Sequence, residues 1–249
     1  MIKNRNMWKP TIVLVATMNT VISCVQENQK KENLDAFFAQ WKVYGIDVSE
    51  HQSLIDWTKV STIFDEHKIY FSFIRATAGK DRVDTQYEKN WNAKKDSNIL
   101  VGAYHYYRPN ENSIEQAENF IQHVSLKKGN LPPVLDIEQQ SKVQTMAQLK
   151  IGLQKWLDKV EEHYGVQPII YSGSKFYSTF LQEEFADYPL WVANFNPIKV
   201  PVNHNWRFWQ YSDKGKVAGI SVKVDINVFD GEVKELIELC IKENRAATD

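Results

Sequence analysis

Cysteine is almost absent. The 249 residues hold two, Cys24 and Cys240, so no disulfide framework staples this fold. Cys240 falls in the apolar pattern of the last helical segment and reads as core. Long apolar runs are missing as well. The stretch from Thr11 to Ser23 is mostly apolar but only 13 residues long, too short to cross a bilayer. No two histidines stand in an H-x-x-x-H pair among His51, His67, His105, His123, His163 and His204, which removes the simplest metal-site spacing. No metal and no cofactor is expected. Neither charge dominates, with a formal net charge of −1. A nucleic-acid footprint, which needs a basic excess, is therefore excluded. Internal repeats and low-complexity segments are also lacking.

What is present begins with a distinct first segment. Lys3, Arg5 and Lys9 precede the short apolar stretch, which ends in Val21-Ile22-Ser23-Cys24. This resembles a bacterial lipobox, in which the cysteine becomes a lipidated N-terminus after cleavage. Thr17, Asn19 and Thr20 interrupt the apolar stretch, so a plain secretory signal or a weak anchor competes with that reading. The expected organisation is a signal peptide over residues 1–24, a tether over 25–43 and a single catalytic barrel domain over 44–249. The expected location is outside the cytoplasm, as a membrane-anchored lipoprotein in the periplasm or at the cell surface, and otherwise secreted. Membrane contact would run only through lipid on Cys24, and the protein would be a monomer. Cleavage removes three of the 30 basic residues and none of the 31 acidic ones, moving the net charge from −1 to −4.

From Tyr44 onward, strand-like runs alternate with helical periods. The pattern predicts strands over 44–48, 69–76, 99–107, 133–137, 168–171, 190–193, 207–211 and 222–228. It predicts helices over 56–66, 84–97, 113–124, 145–163, 174–181 and 233–242. Such alternation implies parallel βαβ units. Eight strands in about 200 residues fit an α/β barrel of the (β/α)8 type. The stretch from Asn194 to Trp206 has no helical period, and Ser212 to Ser221 reads as loop. The barrel is therefore expected to be irregular, with helix-poor last units, in a (β/α)5(β)3-like arrangement.

The chemistry gathers at strand ends. Residues 132–138 read Pro-Pro-Val-Leu-Asp-Ile-Glu. On a strand, positions i and i+2 share a face, with Cα atoms about 6.5–7 Å apart. Asp136 and Glu138 would thus sit side by side. Paired carboxyls suit glycoside hydrolysis, where one protonates the leaving oxygen and another supports an oxocarbenium-like transition state. Alone, such a pair also describes an ordinary strand end meeting solvent. Asp47 on the first strand and Asp225 on the last shift the balance. Acids at three separated strands converging on one rim have no structural explanation, since unpaired buried carboxylates cost several kcal/mol.

The ordered segments resemble the family 25 glycoside hydrolases, the lysozymes or N-acetylmuramidases of the Chalaropsis type. The matching stretches are Gly45-Ile46-Asp47-Val48-Ser49 with Gln52 and Ile55-Asp56-Trp57, then Phe73-Ile74-Arg75-Ala76-Thr77 with Gly79. Val101 to Tyr106, Pro133 to Glu138, Leu190 to Ala193, Trp209-Gln210-Tyr211 and Val224 to Phe229 complete the set. Two departures stand out. Ser53 occupies a position where the family usually has glycine, and Ser97-Asn98 replaces a glycine at a helix end. The resemblance implies a hydrolase of the β-1,4 bond from N-acetylmuramic acid to N-acetylglucosamine, acting on peptidoglycan glycan strands in cell-wall catabolism. It assigns Glu138 as general acid, its proton retained by Asp136 and by partial burial. Asp136 becomes its companion, steering the substrate's own N-acetyl group or acting otherwise. Asp47 and Asp225 complete the catalytic set. Substrate contacts are expected from Tyr104, Tyr106, Tyr171, Trp191, Asn194, Gln210 and Asn227. Tyr106 and Trp191 are the preferred stacking rings; Trp209 and Tyr211 are further candidates, about half of the aromatic set being core by strand alternation.

Two other readings compete. A chitinase-like or other N-acetylhexosaminide hydrolase would carry further acids upstream of the D-x-E pair, where Leu131 and Val134 stand here. A non-catalytic glycan-binding lipoprotein would have lost the acid, and all four carboxylates are retained.

Overall fold

The computed structural model describes residues 41–64, 66–93, 98–195 and 206–242. The leader, Cys24 and most of the tether lie outside these residues. Ten strands are seen among them. They are β1 Tyr44–Val48, β2 Thr62–Ile63, β3 His67–Ala78, β4 Arg82–Val83, β5 Leu100–Tyr106, β6 Val134–Asp136, β7 Ile169–Gly173, β8 Leu190–Ala193, β9 Trp206–Gly215 and β10 Val224–Phe229. Seven of them run parallel in the order β1, β3, β5, β6, β7, β8, β9. β10 closes the ring antiparallel to both β9 and β1. The result is an eight-stranded α/β barrel, with β2 and β4 as short antiparallel additions to β3. All eight expected strands are barrel strands. β10 must reverse direction because only residues 216–223 link it to β9, while a parallel return needs a dozen residues or more.

Helices cover the outer face of the middle strands. Ser113–His123 is capped by the Asn112 side chain, which accepts from the Ile114 and Glu115 amides. Met146–Tyr164 starts with a reciprocal Thr145–Gln148 capping box and ends at Gly165 in the left-handed region. That helix buries Leu149, Leu153, Trp156 and Val160, the spacing of one helical face. The expected helix over 174–181 extends to Phe185 through a π-helical turn, Tyr177–Leu181. The last helix, Val233–Leu239, stops before Cys240.

The helix expected over 56–66 does not form. Trp57, Val60 and Ile63 are buried at helix-like spacing of three. However, Asp56 turns the chain locally, accepting from Thr58 Oγ1 at 2.6 Å and pairing with Lys59 at 2.7 Å. Thr62 and Ile63 then pair with Lys68 and His67 in a hairpin, and Phe64 takes a positive φ of 55° at its tip. β-Branched residues next to a strand favoured the ladder over the helix.

The barrel interior is aromatic. Phe71, Phe73, Tyr171, Trp191, Phe208 and Phe229 form its buried cluster. Phe73 stacks on Trp191 with centroids 4.6 Å apart. Gly45 on β1 makes room for this filling, because a Cβ there would meet the Phe71 ring. Alternation sorts the remaining rings. On β9, Phe208 and Gln210 point inward while Trp209 packs outward against Trp41 and Trp206. Trp209 and Tyr211 are therefore outer-face core, not cleft residues.

Candidate active site

β1, β5, β6, β7, β9 and β10 send inward side chains to the C-terminal end of the parallel strands, where barrel sites form. They line a cleft of about 540 Å³. Asp47, Asp136, Glu138 and Asp225 all face it. β6 ends at Asp136, and Ile137 continues the pairing by donating its amide to Tyr171 O at 3.0 Å. Extended backbone thus carries Glu138 onto the face of Asp136, as alternation requires. Asp136 is buried, at 5% exposure, whereas Glu138 stands exposed at the cleft mouth.

The acids fall into two hydrogen-bonded pairs. Asp136 bonds to Glu138, and Asp136 Oδ1 is buried with no partner among the described residues. Burial pushes Asp136 well above the usual carboxylate range, reinforced by the negative charges of Glu138 and Asp47. The dense surroundings raise Glu138 too, although the residue itself is open to solvent, while the hydrogen bond from Asp136 pulls it back. The sequence leads one to expect Glu138 raised by burial and by Asp136; burial does raise it, whereas the Asp136 hydrogen bond acts in the opposite direction. Asp136 donates and Glu138 accepts in the hydrogen bond that joins them, so the pair shares a proton.

Asp47 and Asp225 form the second pair. Burial pushes Asp47 up to about 6, against hydrogen bonds from Asn227 and Gln210. Burial also pushes Asp225 up to about 8, with repulsion from Asp47 next. The amides explain the difference. Gln210 Nε2 and Asn227 Nδ2 donate to Asp47 Oδ2 at 2.9 and 2.8 Å. Asp47 is the ionised member at neutral pH, and Asp225 holds a proton.

The expected substrate contacts divide by depth. Tyr104, Tyr106, Tyr171 and Gln210 line the cleft. Tyr106 is half-buried, and Gln139 Nε2 donates to its hydroxyl at 3.2 Å. Tyr171 donates to Gln210 Oε1 at 2.8 Å. Trp191 reaches the cleft floor but is 1% exposed. Phe73 covers one face of its ring and Tyr171 packs edge-on at 4.6 Å, so no face is left for a sugar. Asn227 is wholly buried behind Asp47. Asn194 lies at the end of β8 outside the cleft, its amide bonded to Gln210 O and its carbonyl accepting from Trp209 Nε1. Strand alternation gives inward or outward, and it gives no depth along the barrel axis.

Several cleft residues stood at strand ends without being chosen from the sequence. Arg75 lines the cleft between Asp84 at 2.8 Å and Glu50 at 2.9 Å. Its charge partly offsets Asp136. Arg82 also binds Glu50, and these cations with Thr85 hold Glu50 down to about 2 despite partial burial. His51, Phe195 and Asp213 border the opening. Among the described residues no cluster of His, Cys, Asp and Glu has the arrangement of a metal site.

The comparisons with known proteins agree with this geometry. The family described as "Glycosyl hydrolases family 25" matches residues 46–220. The uncharacterized protein YegX of Escherichia coli (strain K12) is 42% identical over 80% of this chain and 73% of its own. Lysozyme M1 of Streptomyces globisporus is 31% identical over 79% of this chain and 71% of its own. Among solved structures, the bacterial lysozyme from Streptomyces coelicolor is similar with a TM-score of 0.72 at 30% identity, covering 80% of this chain and 96% of that one. The carboxylates that the barrel brings together thus sit in a chain that belongs to glycosyl hydrolase family 25, and the protein is a glycoside hydrolase of the muramidase class.

Proposed function

We propose that this enzyme cleaves the β-1,4 bond between N-acetylmuramic acid and N-acetylglucosamine in peptidoglycan. The carrying observation is the hydrogen-bonded Asp136–Glu138 pair, one member buried and one at the cleft mouth. A proton shared between them is available to a leaving oxygen through Glu138, acting as general acid. Asp136 Oδ1, an acceptor without a partner among the described residues, suits the N–H of the substrate's acetamide. Asp47, ionised deep in the cleft, supports positive charge on the sugar ring, with Asp225 protonated beside it. Tyr106, Tyr171 and Gln210 supply cleft-facing contacts for the glycan. The wholly buried Asn227 and Trp191 act behind them.

Purified peptidoglycan should release new reducing ends when treated with the enzyme. Muramic acid at those ends supports the proposal. Glucosamine at the ends makes this a different hydrolase, and no release makes it a glycan-binding protein. We also propose export and lipid attachment at Cys24, on the lipobox-like Val21–Cys24. Cys24→Ala should then leave the membrane fraction; unchanged fractionation would remove the lipid anchor.

A further inference from the structure

A chain of hydrogen bonds runs from the barrel core to Asp47. Trp191 Nε1 donates to Asn227 Oδ1 at 2.8 Å. An indole nitrogen can only donate, so the orientation of the Asn227 amide is fixed. Its Nδ2 must point the other way, and it donates to Asp47 Oδ2. Both Asn227 and Trp191 are almost wholly buried, and Phe73 and Tyr171 clamp the indole. The amide is therefore preorganised from behind, with no solvent able to substitute for it. Asn227 does not border the cleft. It can act on a substrate only through Asp47.

We propose that Asn227, locked by Trp191, is a positioning residue that keeps Asp47 ionised and thereby leaves the proton of the Asp47–Asp225 pair on Asp225. The inference builds on the muramidase reading of the cleft and adds the buried residues that set its charge. Two charge-assisted bonds to one carboxylate oxygen stabilise the anion. Burial and the charge of Glu138, just beyond β6, oppose its ionisation, whereas Asp225 on β10 favours it through the hydrogen bond between the two carboxyls. Asp136 on β6 and the hydroxyls of Tyr104 and Tyr171 also face it. Arg75 from β3, the cation of that ring, acts on Asp136 and Tyr104. The amides of Asn227 and Gln210, together with the Asp225 hydrogen bond, are thus the groups that hold the charge on Asp47.

The test reads the carboxyl itself. Protein labelled with 13C at aspartate carboxyls is titrated by NMR, with Asp47→Asn assigning the Asp47 signal. Trp191→Phe keeps the packed ring and removes the donor that locks the amide. Asn227→Leu keeps the volume and removes the amide. Either folded variant should raise the Asp47 titration by about one pH unit. The acid limb of the activity profile on peptidoglycan should move up with it. A loss of rate equal at every pH, or an Asp47 signal that titrates as in wild type in folded Trp191→Phe, overturns the proposal. Absence of glycan cleavage by the wild type would instead sink the peptidoglycan reading, since the carboxyl titration does not depend on turnover.

Discussion

Asp47 and Asp225 sit directly opposite each other in register across the β1–β10 seam. That seam is where the barrel closes with its one antiparallel barrel strand, and a hydrogen bond joins the two carboxyls. Antiparallel closure is what allows it. β10 runs the other way, so Asp225 lies near its start, yet it reaches the same end of the barrel as Asp47 near the end of β1.

This pair gives stability a pH dependence. The Asp225 carboxyl is held protonated in the fold to about pH 8, whereas an unfolded aspartate ionises near pH 4. A folded pKa raised above the unfolded value gives stability that is full at low pH. That stability declines as pH rises from about 4 to about 8. Asp225→Asn removes the penalty and keeps a donor toward Asp47. Its melting temperature should exceed that of wild type by about 2–4 °C at pH 8, with a smaller gap at pH 5. Equal gaps at both pH values would show that Asp225 does not carry the proton.

Much of this arrangement was legible from residue patterns, for local reasons. Barrel strands such as Tyr44–Val48 and Leu190–Ala193 are apolar runs bounded by polar turns, and the i, i+2 rule placed Asp136 with Glu138. The failures share a cause. Trp57, Val60 and Ile63 satisfy a helix period and a turn-plus-hairpin equally well, and the partner strand made the choice. Asn227 and Trp191 point inward as alternation demands. Inward means substrate contact near the rim and core a few ångströms deeper, and depth depends on the stagger of neighbouring strands. The direction of the Asp136–Glu138 hydrogen bond was likewise hidden, because burial differs between two residues on the same face.

Ser53 offers a test of backbone strain. It adopts φ 56° and ψ −136°, a region that glycine enters freely and other residues avoid. This is the position where the resemblance to family 25 leads one to expect glycine. Its side chain is exposed, so little contact is lost on removal. Ser53→Gly should stabilise the fold by about 1 kcal/mol in denaturant melts, with peptidoglycan hydrolysis unchanged. A destabilised variant would mean that the serine hydroxyl contributes more than the strain costs.

Glu138→Gln should lower turnover by about 10²–10⁴-fold, the usual loss for a general acid. Glu138 is exposed and contributes nothing to the buried core, so circular dichroism and the melting curve should match wild type. Near-normal rates in this variant would remove Glu138 from the reaction.

Asp136→Asn separates charge from geometry at the first pair. Wild-type Asp136 donates to Glu138, and burial raises both carboxyls, so the pair keeps its shared proton above the usual carboxylate range. The basic limb of activity reports this loss as a property of the pair. Asparagine has no proton to lose, and its amide donates a hydrogen bond that favours ionised Glu138. The basic limb should therefore move to lower pH. The maximal rate should fall as well, because an amide cannot share or pass on the proton that the carboxyl pair supplies. A basic limb that stays in place would mean that Glu138 titrates independently of its neighbour. The cleft would then hold two separate acids on one strand end, and the shared proton on which the proposed acid catalysis rests would be lost.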